Sequence, residues 1–154
     1  MPVEIIQTKV LTPEQSAQIN QLWNDEFPAQ LKDRFPLLLL DVDSYDHFLI
    51  EDADQKVMAW AVVFQQALQT RFSIIVAGNQ RKKGLATLLI NQLKGTNPVF
   101  YGWVIDHEQD FKSNGAPYTS PLAFYEKLGF EILTDVRIET EMIKAVMIKW
   151  DENR

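Results

Sequence analysis

Apolar residues recur along the first third of the chain at helical spacing. Ile19, Leu22, Trp23 and Phe27 fall on one stripe, and Thr12-Pro13-Glu14-Gln15 stands before them. A threonine cap, a proline at the first helical position and a glutamine three residues after the cap predict the start of a helix there, with the stripe turned to a core. Before it, 3–8 alternates enough for an edge strand, and a shorter helical piece is expected over 29–35. The pattern then changes. Segments 47–51 and 57–65 are rich in β-branched and aromatic residues, and Asp52-Ala53-Asp54-Gln55 between them suits a hairpin loop. A third strand is expected over 71–76.

From residue 84 the period returns to helical: Leu85, Leu88, Leu89 and Leu93 share a face, and Gly95 is the expected stop. A strand over 99–105 follows Asn97-Pro98. Residues 106–119, with Asn114-Gly115 and Pro117, read as an irregular loop. Ser120-Pro121 opens a helix that reaches Leu128 and stops at Gly129, and 130–137 with 142–150 make an antiparallel pair. No repeat, linker or low-complexity stretch interrupts this order. The expectation is one mixed α/β domain over residues 1–154.

The 154 residues, 46% of them hydrophobic, are enough to build one real core. No apolar run is long enough for a membrane span and no leader with a cleavage site is visible, so a cytoplasmic protein with no membrane partner is expected. The chain has no cysteine, which removes disulfides, thiolate metal sites and cysteine nucleophiles. The only histidines, His47 and His107, are 60 residues apart, so no metal site is expected. A formal net charge of -6 argues against a nucleic-acid groove.

The charge is unevenly spread. Between Gln55 and Ile105 there is no Asp or Glu, and Lys56, Arg71, Arg81, Lys82, Lys83 and Lys94 give a local +6 against -12 for the remainder. Burial of strands and helix accounts for the missing acids. It does not account for three consecutive cations before a helix. The stretch Val76 to Thr87 reads as a strand end, a cationic loop and a helix start with small residues at Gly84 and Ala86. Free N–H groups and the positive end of the helix macrodipole favour an anion there, and a ligand can reach the main chain without meeting a side chain. The Walker spacing is absent, because five residues separate Gly78 from Gly84 and Leu85 follows. The three-glycine dinucleotide fingerprint and the Gly-x-Ser-x-Gly elbow are absent too.

What the loop does fit is Arg81-x-x-Gly84-x-Ala86 after Val76, followed downstream by Phe124-Tyr125-Glu126-Lys127-Leu128-Gly129-Phe130. In these two elements, in this order, the chain resembles the GNAT superfamily of acyl-CoA-dependent N-acetyltransferases; the detailed likeness runs from Phe72 to Phe130. The resemblance implies a mixed α/β fold with a mostly antiparallel sheet of about six to seven strands, flanked by about four helices and splayed at the CoA site. It implies that the main chain of Arg81, Lys82, Lys83, Gly84, Leu85, Ala86 and Thr87 holds the pyrophosphate of acetyl-CoA. The backbone of Ile74, Ile75 and Val76 would then lie along the pantetheine. Tyr125 takes the place of the tyrosine that often protonates the departing thiolate; without the upstream loop the preferred reading is an aromatic core residue on an amphipathic helix.

Two positions depart from the family's pattern. Many members carry an asparagine seven positions before this tyrosine, where this chain has Tyr118, and the strand before the loop has no carboxylate. The amine must lose a proton before it attacks, so a base is needed. Asp106, His107 and Glu108, at the end of the strand after the phosphate helix, are the candidates; a solvated strand-end cluster is the plainer reading of each. The acidic run from Asp41 to Asp54 reads as a hydrated surface or as an attractor for a cationic amine. Direct acetyl transfer to a small-molecule or peptide amine is therefore expected, the alternative being a CoA-binding module of the same fold without turnover. A homodimer stays open.

Overall fold

The computed structural model describes residues 3–80 and 84–153. Arg81, Lys82 and Lys83 lie outside them. Seven strands form a single sheet in the order β1-β2-β3-β4-β5-β7-β6, with β1 at Ile6–Thr8, β2 at Ser44–Glu51, β3 at Val57–Gln66 and β4 at Gln69–Val76. The rest are β5 at Val99–Val104, β6 at Glu131–Glu139 and β7 at Lys144–Asp151. Every pairing is antiparallel except β4 with β5. Among the described residues there are three α-helices: α1 at Pro13–Glu26, α2 at Leu85–Thr96 and α3 at Leu122–Lys127. None of them is long and apolar enough to cross a membrane.

The start of α1 is as expected: Thr12 Oγ1 accepts the Gln15 N–H at 3.1 Å, and Gln15 Oε1 accepts the Thr12 N–H at 2.9 Å. The short helix expected over 29–35 is instead a pair of 3₁₀ turns, Ala29–Leu31 and Phe35–Leu37. Asp33, held in the left-handed region at φ 60 by its hydrogen bonds with Asn24, separates them, and Pro36 brings no N–H to continue a helix. Gly95 does not end α2. The helix runs one residue further and closes on Asn97, whose backbone N–H and side-chain amide both donate to the Leu93 carbonyl. Leu85, Leu89, Ile90 and Leu93 form its buried face, while Leu88 is exposed.

Both faces of the sheet are covered, which is why β3 reads as a nearly unbroken apolar run. Ala59, Ala61 and Val63 share a core cluster with Leu89 and Leu93 of α2, Tyr125 of α3, and Phe100 of β5 with Phe130. Trp60, Val62 and Phe64 meet α1 through Ile19, Leu22, Trp23 and the turn residue Phe35. The strands β3 and β4 join through a two-residue turn, Ala67-Leu68, with φ of 53 and 64. That turn needs left-handed backbone but carries neither Gly nor Asn, so the usual hairpin cue is missing from the sequence.

The sheet opens between β4 and β5. Their ladder consists of one register pair, Arg71↔Tyr101, although β4 pairs with β3 along its whole length and β5 pairs with β7 along its own. Beyond Arg71 the β5-facing backbone groups of β4 therefore have no strand partner. A Cβ on Gly102 would stand 2.5 Å from the Phe72 ring, so this position keeps the two strands as close as they are at the mouth of the opening.

Among the described residues no group of three or more His, Asp or Glu is placed to hold a metal ion. His47 is instead a core residue, 3% exposed, whose Nδ1 accepts the Trp60 indole N–H at 3.0 Å. Burial lowers its pKa from 6.5 to about 4, against the pull of neighbouring Asp46. The folded imidazole thus stays neutral where the unfolded one binds a proton. Its contribution to stability is complete above pH 6.5 and is lost as pH falls towards 4. Between pH 7 and pH 4.5, urea unfolding is expected to show the wild type losing on the order of 2 kcal/mol more than His47→Gln. Equal losses in the two proteins would contradict this.

Candidate functional site

The opening leads into a cleft of ≈ 620 Å³. Four elements reach it: Ile74, Ile75 and Val76 from β4, Gly84 to Thr87 from the start of α2, Phe124 with Tyr125 from α3, and the last residue of α1. The fold thus gathers seven of the ten sequence-predicted cofactor residues, together with Tyr125, on one surface. Gly84 caps α2 in the left-handed conformation, φ 77, and a Cβ there would meet nothing within 4 Å. No side chain caps this end of the helix among the described residues. First-turn amides have no partner four residues back, so these N–H groups point out of the helix end.

Tyr125 is 6% exposed and sits among aromatic rings, with Phe130 and Phe124 at 5.3 Å and Phe72 at 5.8 Å between centroids. Burial, helped by the neighbouring Tyr118 phenol, pushes its pKa well above the ordinary value. The hydroxyl is therefore protonated at any working pH. Tyr118 occupies the position seven before it, is itself buried, and lines the same cleft.

A second, smaller cavity of ≈ 240 Å³ continues from the first on the α1 side of the sheet. Phe27, Ile74, Tyr118, Pro121 and Tyr125 line both, so the two meet where β4 passes α3. Trp23, Leu31 and Leu38 roof the smaller cavity, and Trp103 and Ile105 of the β5 side wall it.

Asp106, His107 and Glu108 line neither cavity. Arg137 holds both oxygens of Asp106, at 2.7 and 3.1 Å, and these hydrogen bonds keep the Asp106 carboxyl below the usual range. His107 Nδ1 accepts the Gln109 N–H at 3.1 Å, its Nε2 is 3.7 Å from Asp110, and Glu108 is exposed. The acidic run is likewise outside both linings, with Asp46 paired to Lys9 at 3.1 Å.

Among the described residues, the carboxylate that does line the larger cleft is Glu26, the last residue of α1. It is 9% exposed; Oε2 accepts the Gly78 N–H at 2.8 Å, and Oε1 is 3.2 Å from Lys112 Nζ. The lysine comes from the 106–119 loop, which also docks on the end of α1 through the Ala29 N–H bond to the Phe111 carbonyl and through Ser113 Oγ on the Asn24 carbonyl. Glu26 was not singled out from the sequence, yet a signal existed. It stands seven residues after Ile19 and four after Leu22, a carboxylate on an otherwise apolar helical stripe.

Residues 43–132 match the family model described as an acetyltransferase (GNAT) domain. Solved structures with the same fold include Escherichia coli ElaA, 16% identical over 97% of this chain and 100% of that one, with a TM-score of 0.70. A mutant spermidine N-acetyltransferase from Vibrio cholerae is 16% identical over 97% and 94%, TM-score 0.63. A GNAT superfamily phosphinothricin acetyltransferase from Sinorhizobium meliloti, in complex with acetyl-CoA, is 14% identical over 97% and 88%, TM-score 0.61. At these identities the likeness is one of fold. None of the curated proteins compared with the chain matches it.

Proposed function

The chain belongs to the GNAT acetyltransferase family, and from that premise we propose that it transfers an acetyl group directly from acetyl-CoA to a primary amine. The observation that carries the reading is the meeting of three things in one cleft: the edge of β4 that faces away from β3, the first turn of α2, which no described side chain caps, and the protonated Tyr125. The solved acetyl-CoA complex of a relative with this fold supports the same cosubstrate.

Each part of the cleft has a matching task. The amides of Gly84 to Thr87, with the helix dipole behind them, suit a diphosphate, and Arg81, Lys82 and Lys83 bring positive charge to that segment of the chain. The backbone groups of the Ile74, Ile75 and Val76 segment that face away from β3 have no strand partner and suit an extended arm with amide groups, which can pair along them as an added strand does. Acetyl-CoA supplies the activated acyl carbon, and the protein's own contribution is largely positioning and polarisation.

The amine must reach the carbonyl unprotonated. Glu26 is the carboxylate that lines the cleft, and it accepts the amine's proton through an intervening water. Asp106, His107 and Glu108 remain alternative bases only if the loop that carries them moves. Tyr125 donates its proton to the sulfur as the carbon–sulfur bond breaks and the nitrogen–carbon bond forms; the nitrogen then gives up a second proton, which restores the Tyr125 phenol, and the proton held by Glu26 passes to solvent.

Calorimetry with acetyl-CoA at modest salt is expected to show one site per chain, and adding an accepted amine is expected to release free thiol. Binding without turnover across a broad amine panel would select the non-catalytic module instead. Absence of binding would end both readings.

A further inference from the structure

The smaller cavity has a chemical polarity of its own. Its walls are aromatic and aliphatic, and among the described residues that line it one is charged: Arg71, at the end farthest along β4 from the cofactor cleft. The Arg71 guanidinium donates from Nε to Gln69 Oε1 at 3.1 Å and from Nη1 to Gln66 Oε1 at 3.1 Å. Both acceptors are neutral amides. Among the described residues no carboxylate pairs with it, although the side chain is half-buried and the chain as a whole is acidic. A half-buried cation held by neutral amides keeps its charge uncompensated among the described residues, and a planar guanidinium presents its remaining N–H groups in a fork suited to a carboxylate.

Geometry sets where that anion would lie. Ile74 is the β4 residue common to both cavities, so the junction with the cofactor cleft is at its level. Arg71 is three residues earlier, about 10 Å along an extended strand, and its two glutamine bonds turn the guanidinium towards the hairpin and away from Ile74. Among the described residues no carboxylate lines this cavity, which works against an acceptor with several positive charges.

We propose that the acceptor is an elongated primary amine whose apolar, preferably aromatic, body separates the nitrogen from a terminal carboxylate, the carboxylate being bound by Arg71. This rests on the acetyltransferase reading and adds the substrate class to it. The nitrogen enters first and reaches the junction beside Tyr125, the body fills the space under Trp23, Leu31 and Leu38, and the acid end closes the ion pair. Arg71 acts here in recognition and not in the chemistry.

The test uses three amines: 4-(2-aminoethyl)benzoate, its acid-free counterpart 2-phenylethylamine, and spermidine as a polycation. Wild-type kcat/KM, followed by thiol release, is expected to favour the benzoate at least about tenfold over phenylethylamine. Spermidine should be the poorest. In Arg71→Gln the preference for the benzoate is expected to collapse, through a rise in its KM with kcat nearly constant, and Arg71→Lys is expected to recover part of it. Thermal melting and acetyl-CoA calorimetry on the same variants show that fold and cosubstrate site are intact. If none of the three amines turns over, ligand-observed NMR with the CoA-saturated protein decides: benzoate binding lost in Arg71→Gln supports the assignment, and no benzoate binding overturns it. A wild type indifferent to the carboxylate, or one that prefers spermidine, also overturns it while leaving acetyl transfer standing. Loss of acetyl-CoA binding by the wild type would instead strike the underlying reading.

Discussion

Gly84→Glu is expected to weaken acetyl-CoA binding by at least about a hundredfold, while Gly84→Ala weakens it only a few-fold. The two variants separate backbone strain from charge. Gly84 holds φ 77, so either substitution forces an L-residue into left-handed backbone at a cost of about 1 kcal/mol. Space does not discriminate, since nothing lies within 4 Å of a Cβ built there. What the glutamate adds is a negative charge at the amide-rich start of α2, where a diphosphate is proposed to sit. That charge repels the ligand and occupies the amides itself. Isothermal titration at low and at moderate salt is the measurement; the gap between the variants should narrow as salt rises, because the repulsion is screened. Comparable binding by the glutamate variant would mean that the phosphates bind elsewhere.

Much of this arrangement was legible because it is local. The α1 start is written in four consecutive residues, Thr12-Pro13-Glu14-Gln15, whose side chains and backbone satisfy one another without reference to the rest of the fold. The buried faces of α1 and α2 follow from periodicity and β3 from a run of β-branched and aromatic residues, whereas the mostly antiparallel sheet, which has seven strands, is what the resemblance to the GNAT superfamily implies. The failures are non-local or unconventional. The Ala67-Leu68 turn takes the backbone conformation usually signalled by Asn-Gly, so pairing along β3 and β4 imposes it without a sequence cue. Asp33 breaks the expected second helix through an exchange with Asn24, a side chain on the preceding helix.

The same distinction applies at the site. Ile74 to Val76 and Gly84 to Thr87 could be grouped in advance because the resemblance to the GNAT superfamily carries both segments. Glu26 and Arg71 could not, because their relevance comes from α1 ending beside Gly78 and from the β4–β5 ladder stopping at one pair. A carboxylate on an apolar stripe and an arginine in an acid-free third of the chain were visible as oddities. Only the fold brings one to the larger cleft and the other to the far end of the smaller cavity.

Tyr125→Phe is expected to lower kcat by about a hundredfold with acetyl-CoA affinity nearly unchanged. The substitution keeps the ring, and with it the contacts to Phe72, Phe124 and Phe130 that anchor α3 against the sheet. It removes one oxygen from a side chain 6% exposed, so thermal stability should stay close to that of the wild type. What is lost is the donor to the leaving sulfur, an interaction worth most as negative charge develops there, and a loss of this kind lowers kcat and kcat/KM together. The pH profile supplies an independent readout. Because burial raises the Tyr125 pKa, the phenol does not ionise across the range in which the acceptor amine deprotonates. Wild-type rate should therefore rise with pH as free amine accumulates, with no alkaline fall from this tyrosine below about pH 10. The variant should show the same rising limb at a lower level. An unchanged kcat, or a loss of acetyl-CoA binding equal to that of Gly84→Glu, would make Tyr125 a packing residue of the cleft and leave the leaving group to be protonated from water.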